Sequence, residues 1–131
     1  MKKAFLMAAL IYLSMFAVES ISAQTKQLVR FARGAASATT KGTVRGYAYR
    51  DYVIGARVGQ TISVKLSSPN SFSVFTIFQP SGDNLEGASQ MDEFTGELPV
   101  SGDYVIRVGV MRAEARRRGS ISNYSLNISI R

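Results

Sequence analysis

Four arginines lie within the nine residues 111–119, MRAEARRRG, in a chain that contains no histidine and no cysteine. Alanine, glutamate, methionine and arginine favour helix, and the stretch has no β-branched residue, so it predicts one or two helical turns inside a loop. Helical spacing places Arg112 and Arg116 on one face, four residues apart, while Arg117 and Arg118 point elsewhere. The stretch therefore predicts a pair of guanidinium groups presented in one direction.

Two interpretations of this arginine stretch stand side by side. Charge runs often form solvated loops that keep a protein soluble. All four basic residues are arginines, however, whereas lysine and arginine are mixed elsewhere in the chain. Arginine pairs with a carboxylate through two parallel hydrogen bonds, which a lysine cannot do. An acidic cleft, such as that of a carbohydrate-cleaving enzyme, would complement such a loop.

Tyr47 is a second candidate for recognition. It lies in the segment RGYAY (45–49), which we predict to be part of a strand over residues 43–49. In a strand, Arg45, Tyr47 and Tyr49 would share one face. An exposed tyrosine beside an arginine is typical of an interface anchor. The alternative is that Tyr47 covers the edge of the core, and the sequence does not separate the two.

Catalytic groups are scarce. Without histidine or cysteine, the commonest bases and nucleophiles are missing. Asp92 and Glu93 are neighbours and would face opposite sides of an extended segment. Residues 83–86, DNLE, could place oxygen atoms around calcium, but they match no complete calcium loop and are better explained as a surface turn. We expect no enzymatic activity, no cofactor and no metal.

The N-terminus has the pattern of a bacterial export signal. Lys2 and Lys3 precede an apolar run over residues 4–18, and Ala23 offers a small residue at a cleavage site. We predict a signal peptide over residues 1–23 and a single mature domain over residues 24–131, located in the periplasm or secreted. Loss of two lysines and one glutamate lowers the net charge from +7 to +6. A basic surface favours acidic partners, and nucleic acid is not expected in that compartment.

The mature chain reads as short strands separated by turns. Apolar and polar residues alternate with period two over residues 61–66, 104–110 and 124–130. Residues 72–78 are apolar on both faces and predict a central strand. Weaker strands are predicted over residues 27–31, 43–49, 52–57 and 94–100. Residues 33–41 are predicted to be an exposed loop, residues 58–60 a tight hairpin turn, and Gly42 and Gly46 turn or bulge positions. Together these patterns predict an all-β antiparallel sandwich of about eight strands.

Several blocks of the sequence resemble one family, the periplasmic inhibitors of goose-type (g-type) lysozyme. They are FARG (31–34), ASA (36–38), GYAYRDY (46–52), ARVGQ (56–60), LPVSGDY (98–104) and RAEAR (112–116). The resemblance implies a β-sandwich without cofactor that binds g-type lysozyme and inserts loops from one end into its cleft. Carried over onto this sequence, the binding residues are Tyr47, Arg112 and Arg116. Arg45, Arg117 and Arg118 are assigned electrostatic support, and residues 79–93 receive no role.

One alternative function remains open from the sequence. A β-sandwich with a basic end could be a periplasmic binding module for an acidic glycan, lipopolysaccharide or peptidoglycan. An enzyme is a distant third. The sequence favours a monomer without membrane contact once the signal is removed.

Overall fold

The computed structural model describes residues 25–29 and 36–131, and these form two four-stranded β-sheets and one short helix. The elements in chain order are β1 (Thr25–Leu28), β2 (Ser37–Arg45), β3 (Arg50–Ala56), β4 (Thr61–Ser67), β5 (Ser73–Phe78), β6 (Glu93–Glu97), β7 (Gly102–Val110), α1 (Arg112–Ala115) and β8 (Ile121–Ile130). The predicted all-β sandwich of about eight strands is confirmed, and so is the helical turn within the arginine stretch.

The two sheets have the strand orders β1-β3-β7-β5, here called sheet A, and β2-β8-β4-β6, here called sheet B. Neighbouring strands are antiparallel except at one edge, where β1 runs parallel to β3. Strands β7 and β8 occupy central positions in their sheets, and the arginine stretch connects them. This stretch therefore crosses from one sheet to the other at one end of the sandwich.

The core lies between the sheets and follows the period-two alternation of the strands. From sheet A, Tyr52 and Ile106 are aligned in neighbouring strands and fully buried. From sheet B, Leu126 and Ile128 project inward in the same way. Burying a large apolar side chain contributes roughly 1.5–3 kcal/mol, so these rows account for a domain that needs no disulfide. The remaining fully buried large side chains are Ile54, Ile62, Val64, Phe75, Ile77, Leu98, Tyr104 and Val108.

The prediction of an exposed loop over residues 33–41 is wrong for its described part, because β2 begins at Ser37. Its outward-facing residues are small and polar, so the segment resembles a loop by composition. Gly42 is accordingly not a turn or bulge residue. It lies within β2 opposite Tyr124, and a Cβ at this position would stand 2.7 Å from Cζ of that ring. The missing side chain makes room for the tyrosine.

The prediction of a hairpin at residues 58–60 is also wrong. The turn is present, with Gly59 at a left-handed φ of 87°. It joins β3 of sheet A to β4 of sheet B, so the two strands it connects do not pair. Turn chemistry identifies the reversal but does not reveal whether the chain returns to the same sheet.

β5 lies at the edge of sheet A, and its prediction as a central strand is wrong. The physical reason is that the following loop covers this edge. Phe75 and Met91 exchange backbone hydrogen bonds of 2.7 and 2.8 Å, and Ile77 N–H donates to Ala88 O at 2.9 Å. The buried Leu85 and Ala88 complete the cover. Residues 79–93 thus have a structural role that the sequence did not show.

The predicted signal peptide, residues 1–23, lies outside the described residues. The same holds for residues 30–35, which include the end of the weak strand predicted over residues 27–31. Among the described residues, none belongs to a helix with the length and apolar character needed to span a membrane.

Candidate functional site

The arginine stretch is a compact turn of helix held by backbone hydrogen bonds. Ala115 N–H donates to Met111 O at 2.9 Å, and Arg116 N–H donates to Arg112 O at 3.2 Å. The second bond spans one helical turn, so Arg112 and Arg116 lie one above the other, as predicted. Met111 N–H donates to Phe72 O at 3.0 Å, which ties the stretch to the loop before β5. The segment is pre-ordered before it meets any partner.

The side chains of this stretch divide into buried and exposed sets. Ala115 is buried and anchors the helix to the sandwich. Glu114 is mostly covered and lies 3.5 Å from Nε of Arg117. Arg112, Arg116 and Arg118 are exposed, and the structure records no ion pair for them within the described ranges. The only carboxylate of the stretch is therefore engaged by Arg117, which leaves the charge of Arg112 and Arg116 available to a partner.

Tyr47 lies in a turn between β2 and β3, and not in a strand. The turn is closed by a hydrogen bond from Ala48 N–H to Arg45 O at 3.0 Å, and Gly46 has a left-handed φ of 55°. Arg45, Tyr47 and Tyr49 therefore do not share a strand face, and that prediction is wrong. The reason is that the chain passes here from sheet B to sheet A, which requires the turn at Gly46. Gly46 is the turn position that the sequence indicated.

The exposure of Tyr47 separates the two interpretations that the sequence left open. Its side chain is 63% exposed, so it does not seal the core. A ring held in water at the tip of a hydrogen-bonded turn is available to a partner. Whether it contacts one is a prediction.

The turn of Tyr47 and the arginine helix lie side by side at the same end of the sandwich. Gly46 N–H donates to Ser120 O at 3.0 Å, and a Cβ on Gly46 would stand 3.8 Å from Ala115 O. Arg45 is paired with Ile121 at the start of β8. Residues separated by about 65 positions in the chain are thus brought into one surface, here called the basic end: Arg45, Tyr47, Arg112, Arg116, Arg117 and Arg118.

Arg107 was predicted from the sequence to lie on the outer face of β7, but the sequence did not show which residues it contacts. Its Nε and Nη2 donate to the two carboxylate oxygens of Asp51 at 2.8 and 3.0 Å. Its guanidinium carbon lies 4.0 Å from the centre of the Tyr49 ring and 5.0 Å from that of Phe78, which is cation–π geometry. The hydrogen bond to Asp51 raises the pKa of Arg107 above its ordinary value, although burial opposes this. The group is permanently charged and holds Tyr49 against sheet A, two residues from Tyr47.

A pair of buried tyrosines supports the same end from inside the sandwich. The hydroxyl groups of Tyr52 and Tyr124 lie 2.6 Å apart, and their rings meet edge to face at 88°. Burial and the bond to Tyr52 raise the pKa of Tyr124 above its ordinary value. The pair links β3, which follows the Tyr47 turn, to β8, which follows the arginine helix.

The arrangement is poorly equipped for catalysis or metal binding. Asp92 and Glu93 are both exposed, and Leu66 N–H donates to Asp92 O at 2.8 Å. Asp83 and Glu86 are exposed on the surface loop that leads to the cover of β5. Within residues 25–29 and 36–131, no three potential metal-ligating side chains come together. The basic end can offer fixed positive charge and an aromatic ring, and these groups are suited to binding another molecule.

The fold and the basic end together define an all-β sandwich protein whose distinctive surface is suited to binding. No family model matches the chain. The inhibitor of g-type lysozyme from Escherichia coli (strain K12) is 29% identical over 131 residues, with 94% of each chain covered.

Two solved structures extend this result. The periplasmic inhibitor of g-type lysozyme from Aeromonas hydrophila is 38% identical, with 82% of this chain and 97% of that chain covered and a TM-score of 0.71. The corresponding inhibitor from Salmonella Typhimurium is 33% identical, with 82% and 98% covered and a TM-score of 0.67. The chain belongs to the family of periplasmic inhibitors of g-type lysozyme, and the resemblance seen in the sequence is confirmed.

Proposed function

We propose that this protein inhibits g-type lysozyme by inserting its basic end into the active-site cleft of the enzyme. Inhibition of g-type lysozyme in the periplasm is the activity for which its relatives are named, and the protein is not itself an enzyme. Blocking that enzyme protects bacterial peptidoglycan. The insertion of loops, and the residues that perform it, are the further step of the proposal.

One observation carries the proposed mode of binding. Two segments that are distant in the sequence, the Tyr47 turn and the arginine helix, are fixed to one another by the bond between Gly46 and Ser120. Glycoside hydrolases generally use a pair of carboxylic side chains that flank the scissile bond. Arg112 and Arg116 offer guanidinium groups of matching charge and planar geometry. Tyr47 supplies the aromatic contact beside them, as in interface anchors.

The pre-ordering of this end favours tight binding. A loop that must become ordered on association loses conformational entropy, which subtracts from the binding free energy. Here the helix is closed by its own hydrogen bonds and anchored by Ala115, and the turn is closed at Arg45. The protein therefore presents the three proposed contact residues in an arrangement that exists before the enzyme arrives.

The test is a lysis assay with g-type, chicken-type and invertebrate-type lysozymes, with and without the protein. We expect inhibition of the g-type enzyme and little effect on the others. Purified protein and purified g-type lysozyme should also form a one-to-one complex in the absence of cell wall. Retention by peptidoglycan or lipopolysaccharide, without any complex with lysozyme, would instead support a glycan-binding module.

A further inference from the structure

A depression of about 180 Å³ opens beside Tyr47 on the outer face of sheet A. We propose that it is a second contact for the lysozyme and takes one side chain of that enzyme, with an apolar body and an oxygen acceptor at its end. This inference rests on the proposed function and extends the same binding surface. The residues on which it depends are Tyr47, Tyr49, Val74, Arg107 and Gly109.

The depression exists because one outward position of β7 carries no side chain. Val108 faces the core, so its neighbour Gly109 faces outward, opposite Val74 of β5. A Cβ on Gly109 would stand 3.7 Å from Cβ of Tyr49 and 3.9 Å from Ala48 O. The glycine thus forms the floor, and the turn that carries Tyr47 forms one wall.

The lining determines which side chain fits. Val74 and the rings of Tyr47 and Tyr49 offer apolar contact, which suits an apolar body. Arg107 borders the depression and uses Nε and Nη2 for Asp51, so its Nη1 group remains as a donor within the described structure. No carboxylate lines the depression among the described residues. A basic side chain is therefore disfavoured, and one that ends in an oxygen acceptor is favoured.

The position of the depression identifies its partner. Tyr47 forms part of its rim and is also a proposed contact for lysozyme. A protein that covers Tyr47 over an interface of ordinary size must extend beyond that ring. The arginine helix lies on one side of the Tyr47 turn, through Ala115 and Gly46, and the depression opens beside the same tyrosine over Gly109. The contact would thus continue from the basic end onto sheet A.

The experiment fills the depression. Gly109→Ala and Gly109→Val add side chains at its floor, and neither requires a left-handed backbone. Gly55→Val is the matched control, because Gly55 lies within β3 on the same outer face, where its Cβ would meet Asp103 Oδ1 at 3.5 Å. We expect Gly109→Val to raise the Kd for g-type lysozyme at least about tenfold, since it excludes a buried side chain. Gly109→Ala should fall between wild type and Gly109→Val, and Gly55→Val should stay within about twofold of wild type.

A second measurement does not depend on the stability of the filled variants. The chain has no cysteine, so Val74→Cys and Val53→Cys each introduce a unique thiol, the first in the depression and the second elsewhere on the outer face. Bound lysozyme should slow alkylation at position 74 and not at position 53. Equal Kd values for Gly109→Val and Gly55→Val, or unprotected alkylation at position 74 in the complex, would overturn the inference. Absence of any complex with wild-type protein would refute the proposed function itself.

Discussion

The protein uses arginine in two different ways at neighbouring places. Arg107 lies on the face of sheet A, 39% exposed, with both carboxylate oxygens of the buried Asp51 as partners. Arg112 and Arg116 lie on a surface helix, and the described structure gives them no acidic partner. Arg107 neutralises the carboxylate of Asp51 within the fold. The charges of Arg112 and Arg116 are available to another molecule. Arginine should therefore act mainly on folding stability at position 107 and mainly on binding at positions 112 and 116.

The largest effect is expected from truncation of the exposed pair. Arg112→Ala or Arg116→Ala would leave a carboxylate of the lysozyme cleft buried without its partner. We expect a loss of about 2–5 kcal/mol in binding, mainly as faster dissociation. The melting temperature should hardly change, because both side chains lie outside the core. Dissociation rates and melting curves for each single variant check both halves of the prediction.

Lysine at the same positions refines this prediction. Arg112→Lys and Arg116→Lys keep the charge but lose the planar two-point contact. Binding should be recovered only in part. Full recovery by lysine would mean that charge alone acts there, and small equal losses for all four arginines would replace the insertion mechanism with a diffuse basic patch.

A large effect on folding stability is expected at Arg107. Arg107→Met keeps most of the apolar stem but leaves the carboxylate of Asp51 buried and unpaired. Breaking a fully buried pair costs about 3–5 kcal/mol, and partial exposure of this guanidinium reduces the expected loss of folding stability to about 2–3 kcal/mol. Denaturant unfolding measures it, with Arg112→Met as the matched control. Equal stability of these two variants would remove the distinction between the two kinds of arginine.

These two kinds of arginine also mark what the sequence can and cannot predict. Residue types and helical spacing were sufficient to place Arg112 and Arg116 on one face of a helix, because that geometry is local. The pair of Arg107 with Asp51 depends on the register of β3 against β7, across 56 residues of chain. Alternation gave the face of Arg107 but not its partner. The period-two patterns of the individual strands were sufficient to predict the β-sandwich.

The errors of sequence interpretation share one physical cause. Composition predicted a loop where β2 begins, because the outward residues of that strand are small and polar. It predicted a central strand for β5, which is an edge strand. The loop containing Leu85 and Ala88 covers that edge. Composition also kept Tyr47 in a strand although Gly46 turns the chain between the sheets. In each case the outcome depends on which strand or loop the segment packs against, and the composition of the segment alone does not show this.

A smaller effect is expected from the remaining arginines of the helix. Arg117 pairs with Glu114 at 3.5 Å and is highly exposed, and Arg118 is exposed as well. Arg117→Ala and Arg118→Ala should each weaken lysozyme binding by about 1 kcal/mol or less, since solvated charges are screened. Measuring lysozyme binding at increasing salt concentration checks this. These variants should change the salt dependence of binding more than they change the dissociation rate at high salt. A loss as large as that of Arg112→Ala would assign Arg117 or Arg118 to the central contact.

The smallest effect concerns the tyrosine pair beneath the basic end and appears only at alkaline pH. The pKa of Tyr124 is raised in the folded protein, chiefly by burial and by its bond to Tyr52, whereas an unfolded tyrosine ionises near pH 10. The folded state therefore keeps this proton while the unfolded state loses it. Stability from this group is complete below about pH 10 and declines as the pH rises further, by up to about 1 kcal/mol at pH 11.

Denaturant unfolding of wild type and Tyr124→Phe at pH 8, 10 and 11 tests this decline. The variant should start lower, because Tyr52 loses its hydroxyl partner, and should lose less between pH 8 and 11. The two proteins differ only at position 124, so the difference between their declines reports on that residue. Parallel declines would show that ionisation of Tyr124 is not coupled to folding, and that the pair acts at the basic end only through packing.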